Sequence, residues 1–169
     1  SEIQGVITAM ATVFDADGNF VEQVAAHCTG DGLNDMMLWR GATAIQVTGF
    51  LPAIRRIIAP AAIAGEVTAA LSKALGEVRI GNPASKEVGM GALASQGQRN
   101  EVRERVGDLS AEAEVVFGGS DDFEVVDADA RKGAFFMPTL LHCQKPLSAK
   151  AVHSVEAFGP VSTVLPYDT

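Results

Sequence analysis

Two hydrophobic periods divide the chain. Ile63, Val67, Ala70, Leu71, Ala74, Leu75 and Val78 recur at three and four residues, which predicts an amphipathic helix over 61–77. Val102, Val106, Leu109 and Ala113 repeat the same spacing and predict a second helix over 96–113, with Ser95 placed to cap it. The outer face of that helix carries Arg99, Glu101, Arg103, Glu104 and Arg105, a solvated surface. Short apolar or β-branched runs predict strands near 53–59, 135–141 and 162–166. Val115-Val116-Phe117 followed by Gly118-Gly119 predicts a brief strand and turn.

Upstream, Gly5 to Phe14 reads as a buried strand, ended by the turn Asp15-Ala16-Asp17-Gly18-Asn19. Phe20 to about Cys28 reads as a short helix, interrupted by Thr29-Gly30-Asp31-Gly32. Met36-Met37-Leu38-Trp39 and Ala44-Ile45-Gln46-Val47 fit helix and strand equally. Helices alternating with strands imply an α/β fold, a layered sheet with flanking helices.

Composition narrows the class. The 169 residues suffice for one domain with its own core, and 47% hydrophobic against 20% charged residues excludes intrinsic disorder. Thirteen basic and 21 acidic residues give a net charge of −8, which argues against nucleic acid or an anionic membrane as partner. Ile57 to Ala64 is the longest weakly polar stretch, far short of the roughly 20 residues that span a membrane. The N-terminal residues have no basic region and apolar run of the secretory kind. Cys28 and Cys143 are too few for a disulfide framework, so a reduced, cytoplasmic setting is expected.

Several short motifs carry more information than composition. In order they are Ala53-Ile54-Arg55-Arg56, Gly81-Asn82-Pro83 with Met90-Gly91-Ala92-Leu93, Val116-Phe117-Gly118-Gly119, Gly133-Ala134-Phe135-Phe136-Met137-Pro138-Thr139-Leu140, and Glu156-Ala157-Phe158-Gly159-Pro160-Val161. In that order residues 53–169 resemble the catalytic domain of the aldehyde dehydrogenase superfamily, closest to the branch that oxidises semialdehydes in aromatic-acid degradation. The last motif also makes physical sense unaided. Glu156 can present acceptors to ribose hydroxyls and Phe158 an aromatic edge to a flat ring, on a loop stiffened by Gly159-Pro160. By spacing alone, an exposed loop acid and a core phenylalanine are the better reading, and the flanking motifs reverse that order.

The resemblance implies NAD or NADP as cofactor, with Glu156 and Phe158 on its nicotinamide half. It also implies an aldehyde or semialdehyde substrate, oxidised through a cysteine thiohemiacetal, and a homo-oligomer. The departures are specific. Leu51 stands where the family has its nucleophilic cysteine, and leucine cannot attack an aldehyde. Thr29 stands near the place of the general-base glutamate, ahead of Gly32-Leu33-Asn34. No G-x-G-x-x-G follows a strand, so a dinucleotide-binding domain is not expected in this chain. No catalytic residue is therefore assigned.

Residues 1–52 form an N-terminal segment of different character. Residues 5–19 resemble the first strand and turn of the dihydrodipicolinate synthase family, Schiff-base lyases built on a TIM barrel, and Ala44 to Gly49 distantly resembles its second strand. Val13 stands where that family usually has proline, Thr48 alone remains of its threonine pair, and 169 residues are too few for the barrel. Three functions stay open: a partial aldehyde dehydrogenase, a non-catalytic association module of the same fold, and a fragment of a Schiff-base lyase.

The remaining chemistry-bearing residues have plainer readings. His27 beside Cys28 and His142 beside Cys143 point in different directions on regular structure and make poor nucleophile–base pairs. His153 is placed to orient the Glu156 loop or simply to face solvent. Asp121, Asp122, Glu124, Asp127 and Asp129 lack an EF-hand pattern, and no histidine pair has metal-ligand spacing, so no metal is expected.

Overall fold

A computed structural model describes residues 24–28, 34–38 and 55–168. Among the described residues six strands form one sheet: β1 (Val24–Cys28), β2 (Asn34–Leu38), β3 (Arg56–Pro60), β4 (Glu114–Phe117), β5 (Thr139–His142) and β6 (Val161–Tyr167). Their spatial order is β1-β2-β3-β6-β5-β4. β6 lies parallel to both β3 and β5, from Arg56 opposite Thr163 to Pro60 opposite Tyr167 and from Thr139 opposite Val161 to His142 opposite Val164. β4 closes one edge antiparallel to β5.

The central strands β3, β5 and β6 bury apolar residues on both faces because helices cover both. Ile57, Ala59, Leu140 and Val164 point to one side, where α1 (Ala64–Gly76) lays Ala64, Leu71 and Leu75 on them. Leu141, Val161 and Leu165 point to the other side, beneath Val102 and Leu109 of α2 (Gln96–Ser110) and Val152 of α3 (Ala151–Ser154). Such two-sided burial is the rule for parallel strands. The chain is an α/β layered sheet with flanking helices, as the periods imply.

The helix expected over 61–77 begins as a 3-10 turn at Ala61–Ile63 and continues as α1. The Ser95 hydroxyl oxygen accepts from the Gln98 amide at 3.1 Å and caps α2 as expected. That helix stops at Ser110 rather than 113, since Ala111 and Glu112 turn the chain into β4. The strand expected at 53–59 runs Arg56–Pro60, and residues 53 and 54 lie outside the described residues.

The strand expected over 135–141 is confined to Thr139–His142. Ala134 to Pro138 precedes it without a strand partner, and Pro138 has no amide to donate. The short helix expected up to Cys28 is overturned: Val24–Cys28 is β1, paired antiparallel with β2 from Val24 opposite Leu38 to Cys28 opposite Asn34. Five residues make a poor helix alone, and the strand state comes from ladder pairing with the neighbouring β2 rather than from a period within β1. Met36 to Leu38, ambiguous by pattern, belongs to β2. Gly5 to Asn19, Ala44 to Gly49 and Leu51 lie outside the described residues.

Two glycine motifs act in the fold. A side chain on Gly81 would fall on the Val126 carbonyl oxygen, which accepts from Asn82 at 2.9 Å. Gly118, at φ 77°, passes directly over the Pro138 carbonyl, where a Cβ would collide with its oxygen. The Thr139 hydroxyl accepts from Gly119 N–H at 3.1 Å and donates to Met137 O at 3.0 Å, so the glycine pair and the Pro-Thr pair form one corner.

Candidate functional site

The last motif occupies the link between α3 and β6. Val155 and Ala157 pack against the core beside α2, while Glu156 and Phe158 alternate outward into solvent. Phe158 is 64% exposed, unusual for a large aromatic side chain. Glu156 makes no ion pair among the described residues. Two consecutive three-residue turns shape the end of the link: Gly159 N–H donates to Ala157 O at 2.7 Å, and Val161 N–H to Gly159 O at 2.8 Å.

Three contacts fix this loop from below. Gln98 of α2 donates its side-chain amide to the Phe158 carbonyl at 2.6 Å. The Pro160 carbonyl accepts from Thr139 N–H at 2.8 Å, joining the loop to β5. Gly159 sits against Val102, so closely that a Cβ would lie 2.7 Å from Val102 Cγ2. Glycine is required there by the approach of the helix rather than by its φ. The loop thus presents a carboxylate and an aromatic ring on a backbone held by α2 and β5.

A second set of contacts fixes α3, which leads into the loop. Glu112, just past α2, turns its Oε2 to accept from Lys150 N–H at 2.8 Å and Ala151 N–H at 2.6 Å. Arg55 Nη2 donates to the His153 carbonyl at 2.9 Å. The His153 ring lies between Arg56 Nη1, 3.3 Å from Nδ1, and the Pro146 carbonyl, 2.8 Å from Nε2. Sequence reasoning placed His153 beside the loop but missed Glu112 and the two arginines. Their partners are 38 to 98 positions away, a separation no local pattern reveals.

α2 is anchored at its other end of contact by charge. Arg103 and Arg99 meet Asp121 Oδ1 at 2.6 and 3.1 Å. The Arg103 hydrogen bond, with the charges of both arginines, holds the Asp121 carboxyl below the usual carboxylate range, against a smaller opposing effect of desolvation. The outer face of α2, expected to be only solvated, is in this part an ion-paired edge. Other sequence candidates take structural positions: Cys143 is buried in the core, and Ser85 donates to Asp127 at 2.6 Å.

Comparison with known proteins places this architecture. The model of the aldehyde dehydrogenase family matches residues 52–169. The chain is 50% identical over 115 residues to a 3,4-dehydroadipyl-CoA semialdehyde dehydrogenase of Aromatoleum evansii, covering 68% of this chain and 22% of that protein. It is 48% identical over 79 residues to protein MaoC of Klebsiella aerogenes, covering 46% and 22%. Among solved structures, betaine aldehyde dehydrogenase of Staphylococcus aureus in complex with NAD+ superposes with a TM-score of 0.61 at 28% identity, over 72% of this chain and 24% of that one. Aldehyde dehydrogenase C of Pseudomonas syringae, a mutant with NAD+ and octanal, gives 0.58 at 26%, over 69% and 23%. The chain spans less than a quarter of the length of each relative. The matched region starts at residue 52, and nothing in these comparisons supports the lyase resemblance of residues 5–19.

Proposed function

The chain belongs to the aldehyde dehydrogenase family, and from that premise we propose that residues 52–169 are the part that receives the nicotinamide end of NAD or NADP. The observation that carries this is the outward pair Glu156 and Phe158 on a loop tied to α2 and β5. The donor set suits the group: two carboxylate oxygens can accept from ribose hydroxyls, and an exposed ring offers a face or edge to a planar heterocycle. The cofactor, when bound, supplies the hydride acceptor that aldehyde oxidation requires. Within this chain Glu156 orients the sugar, Phe158 bounds the ring and keeps water from one side of it, and Gly159-Pro160 holds both in place.

The substrate class in this reading is a semialdehyde, in keeping with the named relative from Aromatoleum evansii. A cytoplasmic homo-oligomer is part of the same proposal. Leu51 favours a second reading, in which this chain keeps the fold for association and performs no oxidation itself.

The test is saturation-transfer NMR of nicotinamide mononucleotide with the full chain. Binding is expected to be weak, with ring and ribose protons receiving saturation. Phe158→Ala should remove the ring signal and Glu156→Ala reduce the ribose signal, with stability unchanged to about 0.5 kcal/mol, as exposed sites allow. Signals that persist in both variants, or a Glu156→Ala chain that unfolds, would overturn the assignment.

A further inference from the structure

We propose that His153 is a positioning residue that couples the start of β3 to the loop carrying Glu156 and Phe158, an inference that rests on the cofactor role given to that loop. α3 has four residues, too few to hold a helical shape or a direction by its own hydrogen bonds. Val152, buried at its centre, anchors the turn to the core, and the Glu112 carboxylate holds its first two amides. His153, on the outer side, is what ties the turn to β3.

The chemistry of the contact is directional. A guanidinium only donates, so Nδ1 of His153 accepts from Arg56 and carries no proton. Nε2 then carries the hydrogen and donates it to the Pro146 carbonyl. Arg55 adds a third bond to the carbonyl of the same residue. Arg55 stands just before β3 and Arg56 opens it. Three bonds therefore converge on the residue from which the chain runs into Val155, whose amide closes α3 on Ala151 O at 2.8 Å, and then into Glu156. A shift of β3 moves His153, and through it the carboxylate and the ring. The contact thus ties the start of β3 to the loop that carries Glu156 and Phe158.

Amide hydrogen exchange on the full chain tests this. The informative amides are those of Val155, Gly159 and Val161, each donated within or next to the loop. His153→Ala should speed their exchange about tenfold, as loss of this contact loosens local structure, and should weaken the nicotinamide mononucleotide signal. Exchange in α1, on the opposite face of the sheet, should stay unchanged. His153→Gln should restore most of the protection, because a glutamine amide also offers one acceptor and one donor side by side. Unchanged exchange at the three amides in His153→Ala would overturn the proposal. So would equal acceleration in the Ala and Gln variants, or acceleration in α1 of the same size, which marks ordinary destabilisation. If the unaltered chain gives no mononucleotide signal, the cofactor role of the loop fails, and the exchange comparison alone still decides the coupling.

Discussion

Replacing Gly159 by alanine probes the loop most sharply. The added Cβ would lie 2.7 Å from Val102 Cγ2 and 3.0 Å from Cγ1, against an ordinary carbon–carbon separation of about 3.5–4.0 Å. The overlap is therefore on the order of 1 Å against a side chain with no exposed surface and a stiff, β-branched rotamer. The loop cannot retreat freely, because Gln98 holds the Phe158 carbonyl and Thr139 holds the Pro160 carbonyl. Overpacking of this kind costs about 1–3 kcal/mol, and the two tethers place Gly159→Ala near 2 kcal/mol. Urea denaturation followed by far-ultraviolet circular dichroism measures the loss directly. The cycle with Val102→Ala isolates its cause: the smaller residue costs stability alone by opening a cavity, yet it should make Gly159→Ala nearly neutral. A Gly159→Ala chain within 0.5 kcal/mol of the parent, or additive single effects in the double variant, would refute the contact as the reason for glycine here.

Two further outcomes are expected. The chain should form no NADH from a semialdehyde in an absorbance assay, because Leu51, at the position where the motif resemblance expects the family's cysteine, offers no nucleophile; protein-dependent turnover would reveal another thiol at work. Asp121, held below its ordinary pKa by Arg103 and Arg99, contributes stability above its unfolded value near 3.8, and that stability is lost as pH falls through the lower folded value. With its side chain 61% exposed, the contribution at neutral pH should stay under about 1 kcal/mol and shrink with salt. Acid titrations of parent and Asp121→Asn settle the point, and identical slopes between pH 5 and 3 would remove the ion pair from the account.

What the sequence determined by itself was local and periodic. α1 and α2 follow from apolar residues spaced at three and four, the α2 cap from Ser95, and the corner at Gly118-Gly119 from residues that tolerate positive φ. The motif order was enough to indicate the family, since short motifs in register carry what one alone cannot. Tertiary structure decided the rest, because the deciding contacts join segments far apart in the chain. β1 is the near case: its pattern fits a short helix, and pairing with β2, 6 to 14 positions on, makes it a strand. Spacing alone would put Phe158 in the core and only the flanking motifs turn it outward; the structure leaves it 64% exposed, with Ala157 packed on the core. Likewise the four residues of α3 carry no directional signal, and their orientation comes from Glu112, Arg55 and Arg56 reaching across the fold. A helix period is written every few residues, whereas a hydrogen bond between positions 56 and 153 exists only once the sheet has brought them together.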